Sequence, residues 1–220
     1  MFICYSTPNY QPLTNVCLRT LRECGGKHIE HLLDTPSDEL LAATGFQSPM
    51  WYYATKQKIV HLINTLKKFK GSSDYKYFVF TDCDIVFIRK NASVWESLED
   101  HIISLEDKDI IFMNEGTSST DVNSGFFIIK NNERIDQIIA FFEEVVDIFT
   151  NSNIADVPLG DQTIINGIKG KLQYGTIPNE YVVCGHIIFK DTHSLIQHAV
   201  GSYSVEEKFQ RIMSTQTWFR

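Results

Sequence analysis

The sequence predicts an α/β fold with a central, mostly parallel sheet flanked by helices. Two observations carry that expectation. Short apolar runs of strand type alternate with longer stretches whose apolar residues recur at helical spacing, the pattern of a sheet covered by crossover helices. The first strand, helix and strand, within residues 2–33, have the spacing of a βαβ unit.

Phe2 to Ser6 reads as a short buried strand, and Thr7-Pro8-Asn9-Tyr10-Gln11-Pro12 as a turn punctuated by two prolines. A helix from about Leu13 to Cys24 is stopped by Gly25-Gly26, and Ile29 to Leu33 forms the second strand. Ser37 to Gly45 is a short helix. Met50 to Phe69 is a longer one, with Ile59, Leu62, Ile63 and Leu66 facing the core. Tyr77 to Ile88 is the most strand-like segment, interrupted by Asp82 and Asp84. Asn91-Ala92-Ser93 matches a glycosylation acceptor, but Ser93 reads better as the N-cap of a helix through Leu98, with Glu96 completing a capping box. Ile110 to Met113 and Gly125 to Lys130 are strands on either side of a loop from Glu115 to Thr120. Arg134 to Phe149 is an amphipathic helix, Gly160 to Ile168 a short one, and Lys171 to Ile177 and Ile187 to Phe189 are strand-like. Val205 to Arg220 forms a last helix ending near Trp218.

Composition narrows the function. The chain has 220 residues, 43% hydrophobic and 21% charged, with a net charge of −7. These values suit one domain, 1–220, with a sizeable core; the end at Trp218-Phe219-Arg220 suggests a piece of something longer. A nucleic-acid partner is not expected, because the basic cluster Lys67, Lys68 and Lys70 sits where lysines favour a helix end. The five cysteines, Cys4, Cys17, Cys24, Cys83 and Cys184, form no CxxC pair, which suits a reducing compartment. No apolar stretch of about 18 residues and no leader-like segment occurs, so a cytoplasmic protein without a membrane segment is expected.

The chemistry concentrates at Asp82-Cys83-Asp84. If the strand continues through it, Asp82 and Asp84 share one side and Cys83 faces the other. Two close carboxylates repel unless one is protonated or a cation lies between them. Hard divalent ions take such oxygen ligands, and open α/β sheets bind ligands beyond the carboxyl ends of their strands. The plainer alternative is a polar turn between two short strands.

Five segments bring the sequence to a family. Asp82-Cys83-Asp84 on its hydrophobic strand resembles the DxD motif of GT-A glycosyltransferases. Thr7-Pro8-Asn9-Tyr10 is similar to the nucleotide-binding turn of the family 8 transferases, the glycogenin and galactinol synthase group. Asn123-Ser124-Gly125-Phe126-Phe127 resembles the N-x-G segment found there and in families 34 and 77. Gly160-Asp161-Gln162 with Asn166 resembles their DQ…N segment, and His198-Ala199-Val200-Gly201 their late H-x-x-G motif. The order along the chain is that of the families. The usual K-P-W after the last motif is replaced by Ser202-Tyr203-Ser204, which puts the identity of the late basic residue in doubt.

The resemblance implies a GT-A (Rossmann-like) fold and retaining transfer of a sugar from a nucleotide-diphosphate donor, a UDP-sugar, to a hydroxyl of a glycan or other acceptor. It assigns Mn²⁺ or Mg²⁺ to Asp82, Asp84 and His198; an imidazole beside carboxylates suits Mn²⁺ better. It assigns the nucleotide to Thr7, Asn9, Tyr10, Lys58, Asp82 and Cys83, the donor sugar to Asn123, Ser124 and Gly125, and the diphosphate to Gly201 and Lys208. Asp161 and Gln162 fall at the reacting carbon. His186, His193 and Trp51 are weaker candidates for acceptor contact. Taken singly, each has an ordinary reading: Lys58 as a solvated helix lysine, Asp161 as an acid at a helix start. Asp82-Cys83-Asp84-Ile85-Val86 also fits the first motif of haloacid-dehalogenase-type phosphatases, without a convincing later acidic pair. A non-catalytic sugar-nucleotide or glycan-binding module is the other alternative.

Overall fold

Where the apolar side chains fall along the chain fixes which face of each element is buried, and so how the elements stack. The computed structural model describes residues 1–43, 45–88, 92–116, 120–152, 160–184, 195–200 and 204–215. β1 (Phe2–Ser6) leads through a 3-10 turn at Pro8–Tyr10 into α1 (Gln11–Glu23), whose first turn holds Pro12 where no N–H is needed. Gly25 beyond its end takes φ +93°, the left-handed conformation glycine adopts freely. β2 (Ile29–Leu33) and the short α2 (Asp38–Ala42) follow. α3 (Pro49–Phe69) is capped by the Ser48 hydroxyl, which accepts from the Trp51 N–H. β3 (Tyr77–Thr81), β4 (Ile85–Phe87), α4 (Ala92–Ser104), β5 (Ile110–Asn114), β6 (Val122–Lys130) and α5 (Ile135–Asn151) come next. α6 (Asp161–Ile168), β7 (Tyr174–Ile177), β8 (Val182–Cys184), β9 (Ile196–His198) and α7 (Val205–Thr215) complete the described elements.

The main sheet has six strands in the order β2-β1-β3-β6-β5-β7. All pairs are parallel except the two made by β6, which runs against both neighbours. The central, mostly parallel sheet expected from the sequence is therefore present. Both faces are covered, so alternate residues of one strand enter different cores. Phe78 and Phe80 of β3 and Phe127 and Ile129 of β6 pack against α3, α5 and α6. Phe126 and Ile128 of β6 pack on the other side with α1, α4 and a second sheet, β4-β9-β8. Phe80 stacks on Phe127 at 4.9 Å, and Phe127 on Phe142 of α5 at 5.5 Å, which ties that helix to the sheet centre.

Several elements differ from the sequence reading. Tyr77 to Ile88 is not one strand: β3 ends at Thr81, the acids occupy a turn, and β4 joins the other sheet. Asp82 and Asp84 do not share the side of an extended strand. α4 starts at Ala92, so Ser93 lies inside the helix rather than capping it, and the helix runs on to Ser104. Lys169–Lys171 is a 3-10 turn, and the strand expected from Lys171 begins at Tyr174. β8 and β9 were not expected. Ile187 to Phe189 and the end of the last helix beyond Thr215 lie outside the described residues. Lys67, Lys68 and Lys70 pair with Glu143, Glu30 and Asp136, as a solvated helix end would. Among the described residues no helix is long and apolar enough to cross a membrane.

Candidate active site

The turn that ends β3 builds the site. The Asp82 N–H donates to the Gly125 carbonyl at 2.7 Å, carrying the β3–β6 ladder one step past the strand. The Cys17 thiol and the Thr81 hydroxyl both donate to the Asp82 carbonyl. β4 then leaves for the second sheet and pairs antiparallel with β9, with Ile85 opposite His198. The Ala199 N–H donates to the Asp84 carbonyl at 3.0 Å, which fixes His198 beside the acids. His198 Nε2 lies 3.1 Å from Asp84 Oδ1 and 3.9 Å from Asp82 Oδ2. One ligand atom from each of Asp82, Asp84 and His198 falls within 4.8 Å of the others. The two acids thus converge because a turn, not an extended strand, brings them together, and Cys83 at its centre packs against Cys4 and Leu18.

Gly125 makes this possible. A Cβ there would come within 2.2 Å of His198 Cε1, so only glycine lets the imidazole lie against β6. The β5–β6 register shifts between Phe112 and Met113, leaving Ser124-Gly125-Phe126 bulged out of the β5 ladder and toward the acid turn. His198 Nδ1 is buried and has no hydrogen-bond partner among the described residues.

A buried lysine and a partly buried one neutralise the acids. Lys58 Nζ sits 3.1 Å from Asp82 Oδ1 and 2.9 Å from Asp161 Oδ2. Burial works against its charge, but Asp161 and then Asp82 outweigh that and hold its pKa above the ordinary value. Lys208, from α7, pairs with Asp84. Burial would lift the Asp84 carboxyl, yet Lys208 and His198 hold it well below the usual range. Asp82 is pushed up by burial, with Lys58 opposing and Asp84 adding to the rise. Tyr10, whose ring lies 5.8 Å from Lys208 Nζ, is pushed up to about 12 by burial, against the pull of Lys208.

A cavity of about 420 Å³ opens above this floor. Of the residues singled out in the sequence, Thr7, Asn9, Tyr10, Lys58, Asp82, Cys83, Asp84, Lys208 and Trp51 line it. The Thr7 hydroxyl donates to Asn9 Oδ1 at 2.6 Å, holding the turn after β1. Lys58 is not the solvated helix lysine that was its plainer reading.

Asn123, Ser124, Asp161 and His198 are buried behind the floor. The Asn123 amide is engaged at both ends, donating to Glu115 at 2.6 Å and accepting from the Gly125 N–H at 2.8 Å. The Ser124 N–H donates to Gln162 Oε1. Asn166 accepts from the Val122 N–H at 2.9 Å and donates to the Val122 carbonyl at 2.8 Å, stitching α6 to β6. Gly201, His186 and His193 lie outside the described residues. Sequence reasoning passed over Phe46 and Ser48, which also line the cavity; only the glycine beside Phe46 hinted at an exposed aromatic.

Residues 18–211 match the family model described as nucleotide-diphospho-sugar transferase. The chain belongs to that family. The transferase is a glycosyltransferase, and its fold recurs in solved structures. One is a glycosyltransferase involved in glycosylating the major capsid of PBCV-1, at 12% identity and a TM-score of 0.66, covering 97% of this chain and 98% of that one. GlyE of Streptococcus pneumoniae TIGR4 gives 13% identity and a TM-score of 0.58, with 99% of this chain matching 62% of GlyE. The galactosyltransferase LgtC, solved with donor and acceptor sugar analogues, gives 11% identity and 0.52, covering 97% and 96%. A search of curated protein sequences returned no match. These likenesses identify the transferase as a GT-A fold. Its acid turn with His198 offers two carboxylates and an imidazole, a donor set that fits Mn²⁺ or Mg²⁺.

Proposed function

We propose that the protein is a retaining glycosyltransferase of a single domain. It moves a sugar from a UDP-sugar to a hydroxyl acceptor, releasing UDP, with Mn²⁺ or Mg²⁺ at Asp82, Asp84 and His198. The observation that carries this reading is the convergence of those three side chains, Asp82 and Asp84 at the floor of a cavity and His198 buried just behind it, flanked by the ammonium groups of Lys58 and Lys208. When bound, the metal supplies Lewis-acid neutralisation of the departing diphosphate. Lys208 reaches the same oxygens once drawn from Asp84, as the charged ammonium a lysine keeps at neutral pH. Tyr10 and the turn Thr7–Asn9 receive the base and ribose. Lys58 keeps Asp82 and Asp161 apart from each other's charge and fixed in direction.

Retention has two routes. In a double displacement a carboxylate attacks the anomeric carbon and a covalent intermediate follows. Asp161 is the candidate, but its side chain is 5% exposed and tied to Lys58, which argues against attack. Gln162 accepts from the Ser124 N–H and is a poor nucleophile. These contacts support a front-face route, in which the acceptor attacks from the side the diphosphate leaves and the protein positions the partners. Calorimetry with UDP tests the reading: binding is expected with MnCl₂ and lost in EDTA, and Asp84→Ala should abolish transfer. UDP binding indifferent to EDTA, tighter binding of GDP, or an inverted product by anomeric NMR would each count against it.

A further inference from the structure

The cavity has an aromatic rim that the metal and nucleotide reading leaves unused. Phe46 is 57% exposed, the highest value among the exposed large apolar side chains of the described residues, yet it lines the cavity. Its ring lies 5.1 Å from that of Trp51 at 64°, and Trp51 in turn meets Tyr52 edge-on at 5.0 Å. The pair is braced from behind. A Cβ on Gly160 would come within 2.5 Å of Trp51 Cη2, so the indole lies flush against the start of α6. Its backbone is held by the Ser48 hydroxyl at 3.1 Å. Gly45 at φ +119° and Gln47 at φ +59° turn the chain so that Phe46 stands over the opening. A left-handed Gln47 is costly for a surface loop with no task, since glutamine rarely adopts that conformation.

We propose that Phe46 and Trp51 are a stacking platform for the acceptor, and that the acceptor is a pyranoside; this rests on the sugar-nucleotide reading above. Trp51, Thr55 and Lys58 follow one face of α3 and line one cavity. Seven residues of helix place Trp51 about 10 Å above Lys58 and the acid turn. A diphosphate at the floor and its sugar take up that depth, and the group met next is the acceptor. An aromatic face is electron-rich and attracts the weakly positive C–H bonds on the apolar side of a pyranose ring. The hydroxyls at the edge of such a ring would point toward Ser48 and Thr55, and a lone serine or threonine hydroxyl offers no such face. A nucleobase would also stack, but Tyr10, beside Lys208 on the same cavity, takes that part in the reading above.

Saturation-transfer NMR on the full chain tests this, with methyl β-D-glucopyranoside and methyl β-D-galactopyranoside as probes in the presence of UDP and MgCl₂. The native protein should transfer saturation to the H1, H3 and H5 face of at least one glycoside. Phe46→Ala should weaken that binding about tenfold, and Phe46→Tyr should restore it. UDP affinity by calorimetry should stay unchanged in both variants. Glycoside binding equal in Phe46→Ala and native protein overturns the proposal. So does a loss of UDP affinity in Phe46→Ala, which would make the pair a base platform. Sugar transfer to a serine- or threonine-containing peptide with no glycoside binding overturns it as well. Native protein that binds no UDP defeats the reading beneath, and the calorimetric arm separates that failure from the others.

Discussion

Gly125 illustrates how far a single residue was legible. Its motif marked the position, but the reason differs: the sequence suggested close approach to a sugar, whereas the structure uses the missing side chain to seat His198. Gly125→Ala should displace the imidazole, costing about 1–3 kcal/mol of stability through overpacking. It should also lower Mn²⁺ affinity roughly tenfold or more, because the ligand loses its orientation. Thermal melts and calorimetric Mn²⁺ titration read the two effects. The family resemblance directed Lys58 to the nucleotide, but its own neighbourhood reads as a helix lysine, since nothing local says that Asp82 and Asp161, 79 positions apart in the sequence, meet at its ammonium. Lys58→Met leaves the buried Asp161 and the partly exposed Asp82 without their counter-charge, at a cost of roughly 3–5 kcal/mol. The pH dependence has a definite sign. Lys58 is the main influence lowering Asp82, so without it the folded-state pKa of Asp82 climbs further above its unfolded value. A carboxyl raised in this way destabilises the fold above that pKa, and the penalty fades as the pH falls through it. In EDTA, the melting-temperature gap between Lys58→Met and the native protein should therefore narrow between pH 7.5 and pH 5; a constant gap would refute it.

At the level of elements, long periodic segments were legible and short ones were not. α3, α5 and the strands of the main sheet carry enough repeats for their period to show. β8 and β9 have three residues each, too few to display alternation, and their pairing depends on chain far away in sequence. The run from Tyr77 to Ile88 misled for a related reason. Hydrophobicity on both sides of the acids records burial, but it does not record that β3 and β4 are buried in different sheets. The joint between α6 and β6 tests an element-scale claim. Asn166 satisfies both backbone groups of Val122, and Asn166→Ala would leave them unpaired at about 1–3 kcal/mol. For a chain of this size each kcal/mol lowers the melting temperature by about 2–4 °C. Asn166→Asp keeps one of the two bonds and should lose less; equal losses would mean the amide pairing is unimportant.

Across the whole molecule, the acids and cations of the site come from distant parts of the chain, and their charges nearly cancel. Asp82, Asp84 and Asp161 face Lys58 and Lys208, leaving one negative charge on the floor before any ligand arrives. His198 belongs to the smaller sheet and Gly125 to the larger, so the cluster of Asp82, Asp84 and His198 sits at their junction. Chelation should therefore lower hydrogen-exchange protection in β9 and α7 while leaving β1 and β3 as they were. The pairing of Lys208 with Asp84 has a further consequence for the order of events. A divalent ion arriving alone meets a carboxylate that already holds an ammonium, and a diphosphate arriving alone meets an ammonium that already holds a carboxylate. Each visitor relieves the obstacle facing the other. Their binding should be mutually reinforcing, with UDP raising the affinity for Mn²⁺ by the same factor that Mn²⁺ raises the affinity for UDP. Lys208→Met should flatten this cooperativity, tightening Mn²⁺ in the absence of nucleotide and weakening UDP in its presence. The lysine that rests on the acid turn would then act as a tether between two equilibria, making the empty enzyme indifferent to either ligand until both are at hand.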